Sequence, residues 1–247
     1  MGTVLADPGR SADVAVENDY DRFAEAYTVE NETSLINAYY ARPAIVNLVG
    51  DVGGLRVLDA GCGAGAVAEA LRDKGAVVAG FDRSAKMVEL AGKRLGDDVD
   101  LRVADIGQPL PYPGRAFDVV VAALVLHYLE DWTAPLAELR RVLKPGGRLV
   151  VVVNHPIMFK ILHPQADYFA TSKWSDEYTF DGQEAVLTYW HRPLHAMTDA
   201  FTAAGFRTTV ISEPPAVPEA RELFPEEMSP FPSGAFLSFL FFALEAV

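Results

Sequence analysis

The chain has 247 residues, half of them hydrophobic, enough for one α/β domain with an elaboration and a sizeable buried core. A net charge of −13, with no Lys/Arg cluster, offers no basic surface to displace the counterions of a phosphate backbone, which excludes nucleic acid as a partner. The single cysteine, Cys62, excludes intrachain disulfides and a Cys-based structural zinc site, and fits a reducing cytoplasm.

Residues 1–16 are small and polar, with Pro8, Gly9 and Ser11, and read as a mobile tail. No basic flank precedes an apolar stretch there, so no secretory leader is expected. The longest apolar runs, such as residues 119–126, fall far short of the ~20 residues that span a bilayer, so no membrane partner is expected. Residues 17–247 read as one domain. Its first segment, 17–50, carries aromatic and apolar residues at helical spacing with a break at Pro43, which predicts a helical cap ahead of the first strand.

Strands and helices then alternate. Residues 56–58 form strand one; 64–74 place Val67, Ala70 and Leu71 on one helical face and stop at Gly75. Residues 77–81 are strand two, followed by a helix that Ser84 caps, with Lys93 and Arg94 near its C-terminal dipole. Residues 101–104 and 117–124 are strands three and four. Leu136, Leu139, Val142 and Leu143 mark a helix that Pro145, Gly146 and Gly147 end, before strand five at 148–153. Near-continuous Val/Leu runs between helices indicate a parallel sheet covered on both faces. Residues 156–193 interrupt the rhythm with Phe159, Tyr168, Phe169, Trp174, Tyr178, Phe180, Tyr189 and Trp190, and read as an inserted hairpin or lid. A helix at 194–204, a strand at 206–211, a Pro-rich loop and a last strand at 236–244 complete the chain.

The run Val57-Leu58-Asp59-Ala60-Gly61-Cys62-Gly63-Ala64-Gly65 joins strand one to its helix, where an open α/β sheet binds nucleotides. Glycines let a ligand approach the backbone without meeting Cβ atoms, and Cys62 qualifies there by its small size. Gly61, Gly63 and Ala66 also satisfy the relaxed dinucleotide pattern. Asp82, ending strand two 21 residues after Gly61, suits both ribose hydroxyls of either ligand class. Asp59 discriminates: at the mouth of the glycine loop its charge repels a pyrophosphate and attracts an α-amino group or sulfonium. Asp105, at the end of strand three, adds a third acid placed to accept from an adenine amino group. A turn or cap role explains any one of these acids alone; three at successive strand ends point to a site.

Together with Gly80-Phe81-Asp82-Arg83-Ser84, Ala104-Asp105-Ile106, Phe117-Asp118-Val119-Val120 and Leu143-Lys144-Pro145-Gly146-Gly147-Arg148-Leu149, the segment from residue 19 to 154 resembles the class I, Rossmann-like S-adenosylmethionine-dependent methyltransferases, in their small-molecule branch. The resemblance implies an α/β, seven-stranded sheet whose last strand is antiparallel, with N-terminal helices that close over cofactor and substrate. It implies Gly61 and Gly63 near the methionine portion of S-adenosylmethionine, with Cys62 between them. Asp82 falls on the ribose with Arg83 beside it, Met87 and Ile106 against the adenine, and the stretch from Leu124 to His127 beneath the sulfonium. Tyr20, Phe23 and Tyr27 share one helical face, so either they pack onto the sheet or Tyr20 and Tyr27 turn their phenols toward the ligands.

Strand four ends in Leu124-Val125-Leu126-His127-Tyr128, without the Asn/Asp-Pro-Pro-Tyr tetrad of enzymes that methylate nucleic-acid bases. Strand five ends at Asn154-His155-Pro156. His155, then His127, are the candidate bases, needed only if the acceptor must lose a proton; otherwise they shape the pocket. Tyr27, Tyr40, His155, Tyr168 and Trp190 are the candidate substrate contacts, the insertion's aromatics either walling a pocket or forming a small core of their own. No metal is expected. The reading is methyl transfer to an O, N or C atom of a small metabolite, as in secondary metabolism, by a cytoplasmic monomer or homodimer. The competitors are a peptide or protein methyltransferase, a non-catalytic S-adenosylmethionine-binding protein and an NAD-dependent oxidoreductase.

Overall fold

The computed structural model describes residues 18–247, so the expected tail at 1–16 and the first residue of the cap lie outside the described residues. Seven strands form the main sheet: β1 Arg56–Ala60, β2 Val77–Asp82, β3 Asp100–Val103, β4 Phe117–Ala123, β5 Leu143–Asn154, β8 Phe206–Ser212 and β9 Phe239–Ala246. Between β5 and β8 the chain forms a separate two-stranded hairpin, β6 Ser172–Phe180 with β7 Gln183–His191. The strand order is β3-β2-β1-β4-β5-β9-β8, and β9 pairs antiparallel with both of its neighbours. This is the expected seven-stranded sheet with its last strand reversed.

Successive side chains of a strand point to opposite faces, and both faces here are covered. Leu58, Val120, Ala122, Leu149 and Val151 pack on one side against Leu136 and Leu139 of helix α5 (Thr133–Val142) and Phe201 of α7 (Leu194–Ala203). Val57, Val119, Val121, Val150 and Val152 pack on the other against Ile45 and Val49 of α2 (Arg42–Val49) and Leu71 of α3 (Ala66–Arg72). Alternating Val/Leu positions therefore split one run of sequence into two cores. Helix α4 (Ala85–Leu95) follows β2 and is capped by Ser84, whose hydroxyl accepts from the Met87 amide at 3.0 Å.

The cap departs from the expected form at Pro43. Helix α1 (Tyr20–Thr33) ends at Ser34, and the helix that follows continues through Pro43 by widening to a π turn over Asn37–Ala41. Proline has no N–H to return to the Tyr39 carbonyl, and a wider turn accommodates that loss without ending the helix. The expected break thus falls nine residues early, at Ser34, whose ψ of 144° is extended.

The insertion between β5 and β8 comprises one short helix, α6 (Pro156–Leu162), and the hairpin. The cap is tied to the sheet at α4: Asp21 accepts the Ser84 hydroxyl at 2.5 Å and the Lys86 amide at 3.0 Å, and Glu25 pairs with Lys86 at 3.2 Å. It is tied to the hairpin through a stack of Phe23 on Phe180, ring centroids 5.2 Å apart.

Candidate active site

A cavity of about 460 Å³ opens where β1, β2, β3 and β4 end. Loops after parallel strands meet there, which is where an α/β sheet builds its binding sites. The glycine loop forms its floor. Gly61 is left-handed, φ +76°, and a Cβ there would fall 2.7 Å from Val125 Cγ2; Gly63, φ +52°, has open space where a Cβ would stand. The first is needed for packing and the second leaves room for a ligand.

Two carboxylates govern the electrostatics. Asp82 accepts the Gly63 amide at 2.9 Å on Oδ2 and the Ser84 amide at 2.9 Å on Oδ1, so it joins the glycine loop to the start of α4. Burial still raises its pKa, against the lowering by those two amides. Asp59 is 3 % exposed and its Oδ2 has no hydrogen-bond partner. Burial first, and the Asp82 charge second, push its pKa up to about 7. A buried acid beside a second acid, with one oxygen unsatisfied and a cavity in front of it, is a receptor for a cationic or donor-rich group.

Around this floor stand Met87 and Ile106, both buried, together with Arg83, Leu124 and Asp105. Asp105 is exposed at the rim, its Oδ1 accepting from Gly107 N at 2.8 Å. Leu124 has φ +56°, a sparsely populated conformation for a γ-branched residue that is held by its N–H donating to the Val152 carbonyl at 2.8 Å. All the residues expected to hold the cofactor, Tyr20, Tyr27, Asp59, Gly61, Cys62, Gly63, Asp82, Arg83, Met87, Asp105, Ile106, Leu124 and His127, line this one cavity.

The roof comes from the cap and the hairpin. Tyr20 of α1 faces Tyr128, Tyr27 packs edge-on against Tyr20 and Phe180, and Tyr178, Phe180, Leu187 and Tyr189 come from β6 and β7. The Tyr20 and Tyr128 hydroxyls are 2.6 Å apart, and Tyr128 stacks on Tyr189 with centroids 5.4 Å apart. Burial raises the pKa of both Tyr20 and Tyr128, so these phenols stay protonated. Tyr128, Tyr189 and Asn154 were not singled out by sequence reasoning; the signal available was that Tyr128 follows His127 and that Leu187 and Tyr189 alternate onto one strand face.

His127 is 4 % exposed and borders the cavity. Its Nδ1 accepts the Asn154 backbone amide at 3.2 Å, which leaves Nε2 as the protonated nitrogen, and Nε2 has no partner. Burial pushes its pKa down to about 3, against a smaller opposing effect of the Leu124 carbonyl. With its lone pair engaged, this imidazole donates a hydrogen bond rather than taking a proton.

Four expected site residues stand elsewhere. His155 caps α6, its Nδ1 accepting from Ile157 N at 3.1 Å, while Nε2 meets Glu213 Oε1 at 2.7 Å. Both ring nitrogens are occupied, and the residue lines not this cavity but a smaller one beside it. Tyr40 is fully buried among Phe236, Phe239 and Phe241, with its hydroxyl donating to the Phe239 carbonyl at 3.3 Å. Tyr168 accepts the Leu194 amide at 3.3 Å, and Trp190 lines a second, smaller chamber behind His127. Among the described residues no group of three or more His, Cys, Asp or Glu side chains is placed to hold a metal ion, and no helix is long and apolar enough to cross a membrane.

Sheet order, glycine floor and paired acids define a Rossmann-like fold of the class I methyltransferase type. Residues 58–151 match the family model described as a methyltransferase domain. The chain is 37% identical over 139 residues to a demethylmenaquinone methyltransferase of Renibacterium salmoninarum, covering 56% of this chain and 58% of that protein. It is 33% identical over 158 residues to a ubiquinone/menaquinone biosynthesis C-methyltransferase of Desulfotalea psychrophila, covering 62% of this chain and 64% of the relative. The chain thus spans under two thirds of the curated relatives it matches. An S-adenosylmethionine dependent methyltransferase from Mesorhizobium loti superimposes with a TM-score of 0.62 at 25% identity, covering 83% of this chain and 98% of that one.

Proposed function

We propose that the protein transfers a methyl group from S-adenosylmethionine to an O, N or C atom of a small metabolite. The observation that carries this reading is the buried Asp59 carboxylate, which lines the cavity with its Oδ2 unpartnered and the Asp82 charge beside it. The residues present fit the cofactor: Asp59 suits its cationic end, the Asp82 oxygens its ribose, and Met87 with Ile106 an apolar wall for the base. A pyrophosphate would meet two like charges, which disfavours a dinucleotide.

When bound, the sulfonium would supply a methyl group whose carbon the acceptor's electron pair attacks in line, the S–CH3 bond breaking so that neutral S-adenosylhomocysteine leaves. The chain's own residues then position and exclude water. Asp59 and Asp82 orient the donor, the Leu124 to His127 turn lies beside it, and Tyr20, Tyr128 and Tyr189 hold the acceptor under a roof. Positioning of two reactants supplies much of the acceleration in such a reaction. The roof of α1 and the hairpin supports a small acceptor over a protein or peptide, which needs an open cleft, and so gives the insertion the role of a lid. The cytoplasmic reading rests on one cysteine and no intrachain disulfide.

Calorimetric titration with S-adenosylmethionine, S-adenosylhomocysteine and NAD in parallel tests the assignment. The first two are expected to bind and NAD not to; binding of NAD alone would overturn it. Labelled methyl transfer into fractionated small-molecule extract, absent with heat-killed protein, separates an enzyme from a non-catalytic binder.

A further inference from the structure

Behind the first cavity lies a second of about 190 Å³, and His127, Asn154, Tyr178 and Phe239 face both. Its walls are mostly apolar and carry several flat rings. Phe159 stacks on His191 at 4.0 Å between centroids, 11° from parallel, and Trp174 packs on Tyr189 at 5.0 Å. One cation and one anion, Arg192 and Asp176, border it, so its charged side chains cancel. Arg192 lies over the Trp132 ring at 4.6 Å and its Nε is buried without a partner.

The partition residue matters most. His127 is nearly inaccessible to solvent, its Nδ1 is fixed by the Asn154 amide, and its Nε2–H has nothing to donate to. A buried donor without an acceptor is costly, and its persistence at the wall between two cavities marks a place where a ligand oxygen satisfies it. A cavity of ~150 Å³ is enough for one benzene ring. The space here therefore takes a single six-membered ring and excludes a bulky fused system. A net charge on that ring would lose hydration against a lining whose formal charges sum to zero.

We propose that this chamber is a subsite for the non-reacting end of the methyl acceptor, and that it takes one neutral aromatic ring whose oxygen substituent accepts from His127 Nε2–H. The proposal rests on the methyltransferase reading for its purpose, but binding at the chamber is measured independently of it.

The test uses phenol and toluene, which share a shape and differ in the oxygen, titrated into the full chain by ligand-observed NMR with and without S-adenosylhomocysteine. Phenol is expected to bind more tightly than toluene. His127→Phe, which keeps a ring and removes the donor, should weaken phenol about 3- to 10-fold, the range for one neutral hydrogen bond, and leave toluene unchanged. His127→Gln restores a donor and should recover part of the loss. Met158→Trp, which fills the chamber from its α6 wall, should abolish binding of both probes while S-adenosylhomocysteine affinity stays as in the parent, showing that the variant folds. Equal binding of the two probes to the parent, or phenol binding that survives Met158→Trp, overturns the proposal. Failure of S-adenosylhomocysteine to bind the parent would instead overturn the cofactor reading and leave the phenol result standing.

Discussion

Asn18 and Thr188 exchange two hydrogen bonds: Asn18 Nδ2 donates to the Thr188 carbonyl at 3.0 Å, and the Thr188 amide donates to Asn18 Oδ1 at 2.8 Å. The side-chain amide thus copies a neighbouring strand and joins the start of α1 to β7 across 170 residues of sequence. Asn18 holds φ +57°, which asparagine tolerates better than most residues. Because both partners belong to the roof, breaking this link should loosen closure without touching the acids below. Asn18→Ala is expected to speed dissociation of S-adenosylhomocysteine by up to about 10- to 100-fold, two neutral hydrogen bonds' worth, and to lower hydrogen-exchange protection of the Thr188 amide. Unaltered protection would show that β7 keeps its position without Asn18.

Asp59 links ligand binding to pH. Its folded pKa of about 7 lies above the unfolded value of ~3.9, so the folded chain binds more protons between those limits and loses stability as pH rises through them. The penalty is absent below about pH 4 and largest above pH 7, where three pKa units amount to at most about 4 kcal/mol. Asp59→Asn removes the penalty. Thermal unfolding of the ligand-free variant is therefore expected to occur at higher temperature than the parent at pH 8 and at a similar temperature at pH 4. A cationic ligand favours the ionised carboxylate, so binding should release a proton near neutrality. Titrations of S-adenosylmethionine in buffers of different ionisation enthalpy should show that release, and Asp59→Asn should abolish it.

Much of this site was legible because parallel strands buried on both faces leave simple signatures. Val119, Val120 and Val121 announce a central strand whichever face each one serves, and Asp59 and Asp82 stand at the ends of neighbouring parallel strands, where α/β sheets build their sites. What the sequence hid depends on side-chain direction. His155 falls at the end of β5, as expected, but the following Pro156 starts a helix that needs a cap, and the imidazole turns to it and to Glu213, 58 residues away. The widened turn at 37–41 sends Tyr40 into the core. In β7 the cavity receives Leu187 and Tyr189, so period-two alternation assigns Trp190 to the other side. No local pattern distinguishes these outcomes, since each is set by a partner distant in sequence.

Asp82 serves two roles that separate under mutation. Its oxygens already accept two backbone amides, and the residue lines the cavity. Asp82→Ala is expected to weaken S-adenosylmethionine and S-adenosylhomocysteine alike by about 1–3 kcal/mol, the range for losing a charged hydrogen-bond partner. The equal effect on both ligands distinguishes Asp82, which addresses the shared ribose, from Asp59, whose loss should weaken the sulfonium more than the neutral thioether. Calorimetry on the four combinations decides this, and unchanged affinity in Asp82→Ala would remove the residue from the ribose.

The Tyr20 and Tyr128 pair sets a limit on acid–base chemistry. At 2.6 Å one hydroxyl donates to the other, so a single hydrogen of the pair remains free to reach an acceptor bound beneath the roof. Burial raises both pKa values, and neither phenol becomes a base in the neutral range. The rate of methyl transfer should then follow the ionisation of the acceptor itself, with no additional inflection from the protein between pH 8 and about 9. Tyr20→Phe and Tyr128→Phe each remove one hydroxyl but leave the other able to donate that hydrogen, so each single change is expected to raise KM a few-fold with little effect on kcat. The double variant should cost more than the sum of the two, because only then is the donor lost. Strict additivity, measured as kcat/KM on one acceptor, would mean that the two hydroxyls address separate atoms.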